Sequence, residues 1–297
     1  MSRVLDPVAV SNSRRSWTAL EAYTSSVYLT PEMEAVYGDL GVSRAAGFIA
    51  SRLASLGRPS TEVAISSFYT FSPAIIGTEY SGVWDKITPT QAIDARLTIA
   101  DRALRRILGN RIDSPDVEFA ASIAKSLALA AAERAGGRVI FAAHSTLPWP
   151  QEPHLVLWHA QLLLREYRGD GHTALLIASG ISGAEAVVSH AAGDAGVDSR
   201  HLRLSRGWSD DIWHDAVRSL SQRGLVHDKP TLALTTAGKE WRTELERATD
   251  ELSCAPFGEI GNAACRELQR ISARLSIDVA RQAMPWLVSE IEELLPT

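Results

Sequence analysis

The chain has 297 residues, 45% of them hydrophobic and 22% charged, with a formal net charge of −5 and a pI of about 5.9. That length supports two domains or one large helical one, and the acidic balance speaks against nucleic acid as the main partner, because such affinity comes largely from neutralising phosphates. No apolar run of about 18 residues marks a membrane span, no signal design opens the N-terminus, and Cys254 and Cys265 suit neither a disulfide framework nor a zinc knuckle, so a reduced, cytoplasmic protein is expected.

In chain order, residues 1–13 read as a loose tail. Trp17, Leu20, Ala22, Tyr23, Val27 and Tyr28 then recur at helical spacing. Thr30-Pro31-Glu32 is a helix start, with Thr as N-cap and Pro at the first helical position. A further helix over 43–56 stops at Gly57-Arg58-Pro59. Residues 63–76 are apolar and predict a helix that breaks before Pro73 and restarts from Ser72. Thr88-Pro89-Thr90 caps a long helix over 91–108, with Ile93, Leu97, Ala100, Leu104, Ile107 and Leu108 forming its apolar stripe. An alanine-rich helix follows from Asp113-Ser114-Pro115-Asp116 to Gly136-Gly137.

Residues 139–143 lead into a stretch, 144–172, that holds four of the eight histidines. Pro153 starts a helix there that runs toward Tyr167. Gly169 and Gly171 break or kink it before it resumes over 172–179, and Ser182 with Glu185 forms a capping box for the next helix. Beyond Ser205, a capped helix from Trp208 to Arg223, two short strands around Asp228-Lys229-Pro230, and a polar helix from Thr235 lay out a winged helix-turn-helix. One last helix spans about 261–294.

Residues 172–252 resemble the winged helix of MarR-type regulators through Leu220, Arg223-Gly224-Leu225-Val226 and Leu234-Thr235-Thr236-Ala237-Gly238-Lys239. As a whole the chain resembles a bacterial group characterised only by a helix-turn-helix. The resemblance runs through FYTFSP (68–73), ARLTIADRALRRILG (95–109), LPWP (147–150), LWHAQLLLREYRGDGH (157–172) and RGWSDDIWHDAV (206–217). It implies an architecture and no reaction. MarR proteins are about half as long and have nothing corresponding to residues 1–150.

The expected fold is mainly α: a helical N-terminal half (1–143), a winged-helix-like domain with its preceding central helix (144–255, with a small two-stranded wing), and a C-terminal helix (256–297) packing back on the first half. For the site, Arg165, Glu166, Tyr167, Arg168, Asp170 and His172 crowd one helix end. Asp170 could orient His172 for acid/base work, with Tyr167 donating, while Arg168 or Arg165 holds a carboxylate or phosphate. The alternative is structural, with Asp170 as a cap and the arginines paired to Glu166 and carbonyls. Glu166, His159, Trp158, His144, Trp149 and Tyr69 complete the candidate lining of a small-molecule pocket at the interface of the two halves. Neither a metal nor another cofactor is expected, since no HExxH, CxxC, P-loop or Rossmann fingerprint occurs. A homodimer is compatible with this reading. The rival reading is a ligand-responsive DNA-binding regulator, disfavoured because the would-be recognition helix starts with Asp210, Asp211 and Asp215.

Overall fold

The computed structural model describes residues 5–193, 198–227 and 231–295. The fold is mainly α-helical with one small two-stranded sheet. Its helices are α1 (Pro7–Ser25), α2 (Pro31–Asp39), α3 (Arg44–Leu53), α4 (Thr61–Ser67), α5 (Pro73–Tyr80), α6 (Val83–Lys86), α7 (Pro89–Leu108), α8 (Pro115–Ala132), α9 (Val139–Ser145) and α10 (Pro153–Ala178). There follow α11 (Gly183–Ala191), α12 (Ser199–Ser205), α13 (Asp210–Gln222), the strands β1 (Val226–His227) and β2 (Ala233–Leu234), α14 (Thr236–Ser253), α15 (Ala255–Ile260), α16 (Asn262–Ala283) and α17 (Val288–Glu292). None of the described helices is long and apolar enough to cross a membrane by itself.

The helix starts follow their local chemistry. Thr88 and Gln91 close a capping box on α7, Ser182 and Glu185 one on α11, and Ser72 caps the restart after the break at Pro73. Other expectations need correction. α1 begins at Pro7, so much of the supposed tail is helix. The lead-in at 139–143 is α9, and the final helix ends at Ala283 because Pro285 follows. On α7 the buried stripe is Ala92, Ala95, Arg96, Ile99, Ala100, Ala103, Leu104 and Leu108, so Ala100, Leu104 and Leu108 of the expected stripe are buried while Ile93, Leu97 and Ile107 lie half-buried at its edge. Most plainly, α10 continues through Gly169 and Gly171 without a break. Packing outweighs their poor helix propensity, about 1 kcal/mol each. Gly171 in addition leaves room for Arg138, whose Nη1 lies 2.6 Å from where a Cβ would stand.

The chain forms two compact units, one of residues 1–58, 82–171 and 250–297, the other of 59–81 and 172–249. In the first, α1 lies along α16 through small side chains, including Ala19, Ala22, Ala273 and Ala280. The 153–171 part of α10 is buried nearly all round, which marks a core helix: Leu157, Trp158, Ala160 and Leu162 are all fully buried. The Trp158 indole donates to Thr24 O (3.2 Å) and the Tyr23 hydroxyl to His154 O (3.2 Å), which ties α1 to α10.

In the second unit, α11 packs on α13, and Trp213, Ala216, Val217 and Leu220 of α13 turn inward at helical spacing. β1 and β2 pair antiparallel, Val226 opposite Leu234 and His227 opposite Ala233. The expected turn at Asp228-Lys229-Pro230 lies outside the described residues. Residues 59–81 belong to this unit although they come from early in the sequence. Ser72 N donates to Arg206 O (2.8 Å), the Trp208 indole to Thr70 O (3.1 Å), and the Tyr69 hydroxyl to Ile181 O.

Candidate functional site

Two groups of polar side chains stand out, one in each unit. In the first, α10 projects Glu166 into the core at 2% exposure. Both of its carboxylate oxygens accept from Arg52 Nη2, at 2.8 and 2.7 Å. Burial alone would raise the Glu166 pKa, but Arg52, His144 and Arg165 outweigh it and hold the carboxyl at about 2. Arg165 Nε donates to both oxygens of Glu21 at 3.2 Å. Arg168 Nη1 donates to Asp250 at 2.6 Å, and its guanidinium lies 5.2 Å from the Trp17 ring centre.

His144 is fully buried, with Nε2 3.0 Å from Arg96 Nη1 and Nδ1 2.9 Å from Ile140 O. Arginine only donates, so Nε2 is the acceptor and Nδ1 carries the proton. Burial and the charge of Arg96 push the His144 pKa down to about 3. The same two causes take His159 down to about 4; its ring meets Trp149 edge-on at 4.9 Å. Arg96 is 1% exposed, donates to Ser51 O at 2.9 Å and stacks over Trp158.

The remaining expected residues also make internal contacts. Tyr167 packs on Phe141 at 5.0 Å beneath the Arg138 guanidinium. Asp170, expected to orient His172, accepts instead the amide of Phe141 at 3.0 Å, in the first turn of α9. His172 Nδ1 stands 2.9 Å from Thr249 Oγ1, and Tyr69 is bonded to Ile181 as above. A crevice bordered by Ser13, Ser16, Trp17, Gln161, Arg168 and Ser253 encloses about 10 Å³, roughly room for one water. The 99%-buried Gln161 lacks a partner for its amide nitrogen among the described residues. Among those residues no group of three His, Cys, Asp or Glu side chains is placed to hold a metal ion. Sequence reasoning missed Arg52, Arg96, Glu21 and Asp250; an arginine within the alanine stripe of α7 was the one available signal.

In the second unit, α12 and α13 are joined by the four residues Arg206-Gly207-Trp208-Ser209. A short glycine-containing connection of this kind joins the two helices of a helix-turn-helix. Gly207 sits at φ +71°, where a side chain is strained, and a Cβ on it would lie 2.5 Å from Ile75. Ser209 caps α13 and accepts from Ile212 N. The outward row of α13 is Asp211, His214, Arg218 and Gln222, all exposed. Arg218 in that row pairs with Asp215; nearby, Arg203 of α12 pairs with Asp210 at 2.9 Å, and Arg223 just past α13 donates to Ser179 O and Gly180 O. Arg206 lies over the Phe71 ring at 4.2 Å. Lys229 lies outside the described residues.

A sequence model described as a helix-turn-helix family matches residues 13–285. The chain belongs to that family. No curated protein and no solved structure matches it. The family match covers nearly the whole length, so in this helix-turn-helix protein the motif region and the segments of the first unit are shared as one sequence pattern.

Proposed function

We propose that this helix-turn-helix protein is a transcriptional regulator that binds DNA through a MarR-like winged helix, with α11, α12 and α13 as its three helices and β1–β2 as the wing. The observation that supports this best is the α12–turn–α13 geometry, with Gly207 in the turn and the polar row Asp211, His214, Arg218 and Gln222 facing outward. A recognition helix reads base edges with such a row. A homodimer, which a two-fold operator calls for, and a cytoplasmic location are part of the proposal.

The charge distribution shapes how such binding would behave. The second unit carries nine basic and twelve acidic residues. Carboxylates near the phosphates penalise non-specific contact, so the reading calls for a sequence-selective binder with a shallow salt dependence. The test is selection of a random duplex library with the full chain at about 50 mM salt, followed by anisotropy titrations. Enrichment of a motif supports the reading, and no enrichment overturns it.

A second reading, a docking face for a basic protein segment, is favoured by Asp210, Asp211 and Asp215 around the exposed Ile212, 44% accessible. A small-molecule pocket with acid/base chemistry draws less support. Arg165, Glu166, Arg168 and Asp170 are held by internal partners, and the crevice at Arg168 has roughly one water's worth of room.

A further inference from the structure

Three carboxylates stand in the first half of α13, and the structure treats them differently. Asp210 is engaged by Arg203 at 2.9 Å, and Asp215 is engaged by Arg218. Asp211 has no ion pair or side-chain hydrogen bond among the described residues, and it is exposed in the first turn. It shares one face with His214, Arg218 and Gln222, at spacings of three, seven and eleven residues. The first turn of such a helix is the part that reaches base edges.

We propose that Asp211 is a specificity-determining residue that selects a cytosine in the major groove of the target DNA. This rests on the DNA-binding reading above and adds the base that α13 chooses. An ionised carboxylate only accepts hydrogen bonds. Guanine presents two acceptors to the major groove and thymine an acceptor beside a methyl group, so both repel or ignore it. Adenine presents its N6 amino donor next to the N7 acceptor, which faces the second carboxylate oxygen unfavourably. Cytosine N4 offers a donor without that clash. Asparagine, with one donor and one acceptor, matches adenine instead.

The experiment repeats the library selection with the full-length wild type, Asp211→Asn and Asp211→Ala, each checked by thermal melting. The wild type is expected to fix a cytosine at one position that Asp211→Asn converts to adenine and Asp211→Ala leaves unspecified. Substituting that base should weaken wild-type binding by about five- to a hundred-fold. A wild-type motif that both variants reproduce unchanged overturns the role of Asp211 and leaves the regulator reading standing. If the wild type enriches no motif while it melts cooperatively, the regulator reading falls and this inference with it.

Discussion

Arg52 and Glu166 lock together across 114 residues of sequence, with one guanidinium nitrogen within 2.8 Å of both carboxylate oxygens and the glutamate almost wholly out of solvent. Such a pair costs a great deal to form and more to break, because removing one partner leaves the other charge in a medium that cannot solvate it. Glu166→Ala is therefore expected to lower stability by about 3–5 kcal/mol, read by urea unfolding. A loss below about 1 kcal/mol, the value of a surface pair, would show that the pair is hydrated.

Acid sensitivity separates the groups of this core. His144 and His159 have folded pKa values of about 3 and about 4, below the ordinary imidazole value. Their contribution to stability is complete above about pH 6.5 and is lost as the pH falls from there toward those values, because the unfolded chain takes up protons that the folded one refuses. Glu166, held at about 2, acts only in the window from about 4.3 down to 2. Between pH 6 and 5, unfolding free energy should fall more steeply in the wild type than in His144→Gln, by about one proton's worth, roughly 1.4 kcal/mol per pH unit. Parallel slopes for the two proteins would rule out a neutral buried His144.

Arg168 and Asp250 provide a double-mutant test of whether α10's charged end is scaffold. Arg168→Ala deprives the buried Asp250 carboxylate of its 2.6 Å partner and should destabilise by about 3–5 kcal/mol. Adding Asp250→Ala should restore a good part of that, since the buried carboxylate that faced Arg168 is gone. If the double variant is no more stable than Arg168→Ala, the lost stability resides in the packing of Arg168 on Trp17.

Gly207→Ala combines two penalties, a left-handed φ of +71° and a 2.5 Å approach to Ile75. The loss should exceed about 1–2 kcal/mol, the conformational part alone. Ile75→Ala in the same chain should recover only the steric share. Complete recovery in the melting temperature would mean that the backbone is not strained there.

Much of the helical layout could be read from local signals, since Thr88, Ser182, Ser72 and the prolines act on residues three or four positions away. The partners of the charged side chains on α10 could not. Glu166 meets Arg52, Arg165 meets Glu21 and Arg168 meets Asp250, pairings fixed by tertiary packing over separations of 82 to 144 residues. A dense run of ionisable residues beside an apolar helix looks the same whether it lines a ligand site or binds elements to one another. Only the positions of the counter-charges decide. α10 runs through its two glycines for a similar reason: propensity is a small term against the burial of Leu157, Trp158 and Leu162.

The placement of residues 59–81 has a practical consequence for anyone dissecting this protein. A cut at Gly171 does not release the helix-turn-helix as an independent module, because Thr70 and Ser72, which fasten the turn at Arg206 and Trp208, would stay behind on the other fragment. A single crossover at that point would separate the motif from the same two residues. An excised motif keeps these two hydrogen bonds only if the early FYTFSP segment accompanies the late RGWSDD segment.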